Sequence, residues 1–446
     1  MSRLRTSAVH QLRRPAAQVL LVAVVLALAA LPVLWQYLVR WPGDQWQVDL
    51  EVYREAARSV LHGRPVYQHL TPSPQLLPFT YPPFAALLAL PLALVPFSVA
   101  GWVWSAMQVV ATYLTVLLAF RRLLRRAGRW RWVAGALVTA PLLWLHPVAD
   151  GVRFGQVNAF LVLACLADLT LTRADGARWR RGTLVGLATA VKLTPGVFLV
   201  HLAVGRRWRE LRTAVLALAA ATVGAFCVLP EASLAFWAGA LGDPSRLGPN
   251  AGTSNQSLRG VLLRLGPDGA VGTALWVVLA GALALVGFVL ARRAHQAGDP
   301  STEVATVGLL AVLLSPVGWI HHYAWVVVAI GALVGAGRSR RGWAAAAVVL
   351  AWFLCRLPWW GLTALEQGLP RAFGRLLQNA DALGGLLTLA LLWWLLDRTA
   401  SDRQVDAGGL QPGQHGEQQA DAPADALHGG QPHVPQQGPT RDRAQR

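Results

Sequence analysis

Apolar residues run almost unbroken from Ala16 to Val39, and runs of similar character recur at roughly 82–97, 99–120, 132–148, 156–172, 183–204, 213–229, 270–291, 302–320, 323–337, 342–357 and 382–396. A helix needs about 20 apolar residues to cross a hydrocarbon core about 30 Å thick, so the pattern predicts about 11 or 12 membrane-embedded helices. The fold class that follows is an all-α polytopic membrane protein. Its expected parts are a cytoplasmic N-terminus over 1–15, a transmembrane domain over 16–398 with one long polar loop over 40–81, and a tail over 399–446. The tail is rich in Gln, Gly, Pro, Asp and Ala without apolar periodicity, which predicts disorder. The first apolar run is long enough to serve as an uncleaved signal anchor. No internal repeat is visible, which weighs against transporter folds built from duplicated halves.

Composition and charge sharpen this reading. The chain of 446 residues is 54% hydrophobic and 14% charged, with a mean hydropathy of +0.42, which excludes a soluble globular enzyme. Its 40 basic and 22 acidic residues give a net charge of +18. Arginines gather in short connections, Arg121 to Arg131, Arg173 to Arg181, Arg206 to Arg212, Arg292–Arg293 and Arg338 to Arg341. That is the positive-inside pattern of cytoplasmic loops and carries no signal for nucleic acid. Loop 40–81 instead holds Asp44, Asp49, Glu51 and Glu55, and is expected outside. Two segments break the alternation of sides. Residues 82–97 carry Pro82, Pro83, Pro91 and Pro96, and 183–204 has basic flanks at both ends and Pro195 within, so each is expected to be a dipping or broken helix. Cys165, Cys227 and Cys355 lie in or beside apolar runs with no CxxC, so neither a disulfide framework nor a zinc site is expected.

The polar residues within this apolar background are the candidates for chemistry. In Val48-Asp49-Leu50-Glu51-Val52-Tyr53, running on to Gly63, Val52, Ala56 and Val60 share one helical face and Glu51, Glu55 and Arg58 another. This predicts a short amphipathic helix lying on the membrane and opened by Asp49. Asp49 suits an N-cap, and it equally suits a base one turn from Tyr53. Tyr81 is held extended by Pro82 and Pro83, which set the direction of the next helix. Gln156 and Asn158 stand at the head of an apolar helix, where hydrogen bonds between helices are the plainer reading. Lys192 is the only lysine in the chain. A cation in an apolar segment is either snorkelling to headgroups or functional. Asn255, Gln256 and Arg259 belong to a polar loop, and His321 and His322 sit between apolar spans. Adjacent helical residues point about 100° apart, so the two imidazoles do not readily share a metal; phosphate hydrogen bonding or a structural role fits better. No metal and no cofactor are expected.

Taken in order, VDLEVY, YPPF, GQVN, VKLTP, NQSLR and SPVGWIHH resemble the polyprenol-phosphate-mannose-dependent α-(1→2)-mannosyltransferases of glycosyltransferase family 87, within the GT-C superfamily, over about Val48 to Trp325. The resemblance implies a GT-C fold whose first external loop carries the catalytic acid, here Asp49. It implies an inverting transfer of mannose from a polyprenyl-phosphate donor to a hydroxyl of a cell-envelope glycolipid or glycan acceptor. The implied substrate-binding set is Tyr53, Tyr81, Gln156, Asn158, Lys192, Asn255, Gln256, Arg259, His321 and His322. The enzyme would sit in the plasma membrane with its site outside and its tail in the cytoplasm. A lipid-linked donor needs no nucleotide-binding domain, and no such pattern is present. The alternatives are an arabinofuranosyltransferase using a polyprenyl-phosphate arabinose donor, and a flippase or transporter of lipid-linked sugars.

Overall fold

The computed structural model describes residues 2–171, 179–267 and 269–408. The chain divides into two units, Met1–Ala400 and Ser401–Arg446, and only the first is considered below. The expected disordered tail beyond Gly408 lies outside the described residues, as does most of the basic loop 173–181.

The first half contains α1 (Ser2–Leu34), α2 (Val48–Leu61), α3 (Pro83–Leu88), α4 (Leu90–Ala93), α5 (Phe97–Ala119), α6 (Arg121–Leu124), α7 (Arg131–Leu142), α8 (His146–Phe154), α9 (Asn158–Thr170), α10 (Thr183–Val191) and α11 (Val197–Val204). The second contains α12 (Trp208–Val228), α13 (Pro230–Ala238), α14 (Leu258–Leu265), α15 (Gly269–Gln296), α16 (Pro300–Leu313), α17 (Val326–Val334), α18 (Arg340–Leu354), α19 (Leu357–Glu366), α20 (Arg371–Gln378) and α21 (Ala380–Gly408). Pairing between strands is limited, among the described residues, to two isolated bridges, Leu70 with Pro78 and Asn255 with Trp319.

The expected embedded segments resolve into three kinds. Ala16–Val39, α5, α12, α15 and Ala380–Arg398 are long and apolar enough to cross a bilayer. Two further spans are bent, by 84° between Arg121–Leu142 and α8 and by 47° between α18 and α19. Asn158–Thr170, Thr194–Val204, Pro300–Leu313 and Ile320–Val334 are shorter apolar helices. Of these, α16 and α17 are buried over nearly their whole length and form the centre of the largest apolar core. A helix this short survives at membrane depth because protein, rather than lipid, surrounds its ends.

Both irregular segments break where proline was expected to break them. Residues 82–97 become α3 and α4 with Pro83 and Pro91 in their first turns, and α5 starts beyond Pro96. In 183–204, α10 stops at Val191, Lys192 is extended at φ −148° and ψ 131°, and a short 3₁₀ turn leads through Pro195 into α11. The arginine loops meet one another. Arg122 donates to the Gly298 carbonyl at 2.7 Å, Arg126 to the carbonyls of Ala336 and Gly337 at 3.2 and 3.0 Å, and Arg207 pairs with Glu303 beside His201 and His295.

Two expectations for α2 fail. Helix α2 does not lie free on the membrane, since nine of its fourteen residues are buried, Glu55 among them. Arg54 explains the packing: its guanidinium donates to the carbonyls of Leu92 and Val95 at 3.1 and 2.9 Å, clamping α2 over α4. Asp49 is not the cap either. Gln47 precedes the helix at φ 47°, and its amide donates to Ser105 of α5 at 2.7 Å and the Val152 carbonyl of α8 at 3.4 Å, leaving Asp49 in the first turn.

Candidate active site

Four breaks in regular structure converge: the start of α2, Tyr81 before α3, the joint between α8 and α9, and the gap between α10 and α11. Gly155 makes the third possible. It turns the chain at φ +68°, and a Cβ there would fall within 2.6 Å of the Leu50 Cβ, so only glycine lets α2 approach this closely. The next residue, Gln156, is buried and points at Asp49.

Gln156 organises the centre. Its Nε2 donates to Asp49 Oδ2 at 2.6 Å. Its Oε1 accepts from the Tyr53 hydroxyl at 3.2 Å, the Tyr81 hydroxyl at 3.4 Å and Lys192 Nζ at 3.4 Å. The tyrosine hydroxyls are 3.0 Å apart with their rings edge to face. Lys192 lies 5.2 Å from the centre of the Tyr81 ring, donates to Asn158 Oδ1 at 3.1 Å, and meets His322 Nε2 at 3.0 Å. Asn158 Nδ2 donates in turn to the His321 carbonyl at 3.2 Å. The Trp319 amide donates to His322 Nδ1 at 3.2 Å, which places that ring's proton on Nε2, facing Lys192. Lys192 is therefore inside the site and does not snorkel.

Asp49 is half-buried. Burial raises its carboxyl above the usual carboxylate range, against the opposing pull of His321, the Gln156 hydrogen bond and Lys192. Burial also raises the hydroxyls of Tyr53 and Tyr81, which stay neutral and serve as hydrogen-bond donors. Beside this centre lies a cavity of about 400 Å³ that touches Tyr53 and Tyr81 and is otherwise lined largely by apolar side chains of α3, α5, α9 and α10, including Phe84, Phe160, Leu184 and Val191.

The sequence-predicted set divides here. The structure joins Asp49, Tyr53, Tyr81, Gln156, Asn158, Lys192 and His322 in one hydrogen-bonded network, with His321 against it. Asn255 and Gln256 are wholly buried elsewhere, holding backbone. Asn255 Oδ1 accepts from the Gly318 amide at 2.9 Å, the Gln256 amide donates to the Gly318 carbonyl at 2.6 Å, and Ile320 donates to the Ser254 carbonyl at 3.0 Å. The Gln256 side chain serves the carbonyls of Thr253 and Gln378 and the Ala382 amide. The NQS segment thus braces the loop that carries His321 and His322. Arg259, half-buried on α14, stacks 5.4 Å from Trp276 and does not join the network.

Sequence reasoning missed Asp150 and Gln108. Asp150 Oδ2 lies 3.5 Å from His321 Nδ1 and its Oδ1 accepts from Arg153 at 3.4 Å. Gln108, in the orientation that satisfies its amide, donates to the Gly151 and Gln156 carbonyls at 3.2 Å. The reasoning that singled out Lys192, a charge inside an apolar run, applies to Asp150 as well.

A multi-pass all-α scaffold with one carboxylate and one amine bridged by a carboxamide, beside an apolar cavity, defines a membrane-embedded group-transfer enzyme whose reactant is an amphiphile. Residues 79–316 match the profile of glycosyltransferase family 87, and the chain belongs to that family. It is 33% identical over 83% of its length, and 85% of theirs, to a polyprenol-phosphate-mannose-dependent α-(1-2)-phosphatidylinositol pentamannoside mannosyltransferase of Mycobacterium tuberculosis. A relative from the same organism, named for phosphatidylinositol mannoside, is 34% identical over 69% of this chain and 74% of its own. A pentamannoside mannosyltransferase of Mycolicibacterium smegmatis is 33% identical over 86% and 92% respectively. No solved structure matches.

Proposed function

We propose that this glycosyltransferase moves mannose from a polyprenyl-phosphate donor to a hydroxyl of a mannosylated, phosphatidylinositol-type glycolipid, with inversion and in α-(1→2) linkage. The observation that carries the reading is Gln156, whose two amide ends touch Asp49 and Lys192 and so bring a base and a phosphate partner to one place. The apolar cavity beside Tyr53 and Tyr81 takes the first units of the polyprenyl chain, and the relatives' names supply the sugar and the acceptor class.

In this reading the acceptor oxygen attacks the anomeric carbon as its proton passes to Asp49, and the carbon–oxygen bond to phosphate breaks with its electron pair leaving on the phosphate oxygen. Lys192 answers that charge. Its three contacts, two acceptors and one imidazole N–H, are the complement of an uncharged amine. When the donor binds, Lys192 takes up a proton from water, and a phosphate oxygen then supplies the third acceptor that the ammonium needs in place of the His322 N–H. Asp150 orients His321, and Tyr53 and Tyr81, whose hydroxyls donate to Gln156 Oε1, hold that amide toward Asp49.

We place the site on the outer face of the plasma membrane and the C-terminal tail in the cytoplasm. The support is the gathering of the arginine loops into mutual contact, as the positive-inside pattern requires of a cytoplasmic face. The test is sugar transfer by the purified protein in lipid nanodiscs, using synthetic polyprenyl-phosphate-mannose and an octyl α-mannoside. Formation of an α-(1→2)-linked dimannoside is expected. Transfer only from the arabinose analogue of the donor, or none, overturns the reading.

A further inference from the structure

A second cleft, of about 440 Å³, lies between the loop that follows α2 and the corner between α12 and α13. Local chemistry builds both walls. Helix α2 closes with Gly63 at φ +63° and the Arg64 amide donating to the Ser59 carbonyl at 2.8 Å, which turns Arg64 and Gln68 to one side. Across the gap, α12 ends at Val228 and Pro230 starts α13, setting Glu231 in its first turn. The corner lies at the end of a bilayer-length span, on the same side as loop 40–81, so the cleft sits at the membrane boundary.

Arg64, Gln68 and Glu231 are exposed, and none has an ion-pair or hydrogen-bond partner among the described residues. Ser59, wholly buried in the same wall, has a hydroxyl without a partner. One guanidinium, one carboxylate and one carboxamide over an apolar floor of Val60, Val66 and Tyr67 are a poor match for an anion, which Glu231 repels. They match a neutral polyol, whose hydroxyls donate to Glu231 and accept from Arg64 while its C–H faces rest on the floor.

The cleft is tied to the reaction centre. Tyr67, in its floor, donates to the Tyr81 carbonyl at 2.7 Å, and Tyr81 belongs to the catalytic network. Ser59 lies ten residues beyond Asp49 on α2, about 15 Å along the helix axis. We infer that this cleft binds the sugar residues of the acceptor glycan remote from the hydroxyl under attack, and so sets the preference for acceptor length. This rests on the mannosyl-transfer reading above.

The test compares an octyl α-monomannoside with the corresponding α-(1→2)-mannotrioside as acceptors for wild type, Glu231→Gln, Arg64→Ala and Ala235→Trp, the last filling the cleft from an exposed position. Wild type should show the lower KM for the trioside. Glu231→Gln and Arg64→Ala should each raise the trioside KM about tenfold relative to that of the monomannoside, the size expected for one lost charge-assisted hydrogen bond, and Ala235→Trp should raise it at least as far by occupying the cleft. A wild-type KM ratio in all three variants, or no preference in wild type, overturns the inference. If wild type transfers to neither acceptor, the mannosyl-transfer reading fails by itself. Binding of free α-(1→2)-mannotriose, followed by calorimetry, then decides: binding lost in Arg64→Ala supports the cleft, and absence of binding in wild type overturns it.

Discussion

Gln156 and Asp49, 107 residues apart in the chain, meet at 2.6 Å through an amide nitrogen and a carboxylate oxygen. The direction of that amide is fixed from both ends. Reversing it would set its oxygen against the carboxylate and its nitrogen against Lys192 and two hydroxyls. The carboxamide therefore stands between a carboxyl group and an amine and keeps them from closing into a direct ion pair.

Asp49→Asn should reduce transfer by on the order of 10² to 10⁴, since the amide cannot accept the proton. Because a buried carboxylate is costly to hold ionised, the variant should melt at or above the wild-type Tm, checked by thermal unfolding in nanodiscs. Near-normal turnover would remove Asp49 as the base. The pH profile carries the same assignment. The base works ionised and its carboxyl is raised, so activity should climb as pH increases, with its acid limb above the usual aspartate pKa of about 4.

Lys192→Gln should lower kcat/KM by on the order of 10², the usual effect of losing one donor at a developing negative charge. Lys192→Arg should recover little, because a guanidinium is planar and permanently charged and cannot accept from His322 Nε2. A Gln variant with unchanged donor dependence would place Lys192 outside the site.

Gly155→Ala should cost about 1–3 kcal/mol of stability, from the positive φ and the approach of Leu50, and should reduce activity further by shifting Gln156. The measurement is Tm alongside turnover. An alanine variant equal to wild type in both would show that α2 is free to move.

Asn255→Ala and Arg259→Ala are neighbours with opposite expectations. The first strips three donors of their acceptor and should destabilise by about 1–3 kcal/mol, loosening the histidine loop. The second removes a half-buried stack on Trp276 and should stay within about 0.5 kcal/mol with transfer nearly intact. Strong loss of donor affinity in Arg259→Ala would return it to the substrate-binding set.

The span pattern and the breaks at Pro83, Pro91 and Pro195 were legible because proline and charge act on a helix locally, whereas the grouping of GQVN with VKLTP was implied only by the family resemblance. Helix α2 was misread for the opposite reason. Its polar face reads as solvent-facing until Arg54 is seen reaching the carbonyls of Leu92 and Val95, about forty residues away. Asn255 and Gln256 were misplaced in the same way, since amides that serve a substrate and amides that serve a backbone look alike until partners are known. Asp150 was within reach, being as anomalous in its run as Lys192.

The solitary lysine has a practical side. Apart from the α-amino group, the chain carries one primary amine, and that amine stands in the centre of the candidate site, against Gln156 and Asn158. An amine-directed acylating reagent thus has a single side-chain target, and the rate at which it is modified, read by mass spectrometry, reports occupancy of the site without any sugar having to move.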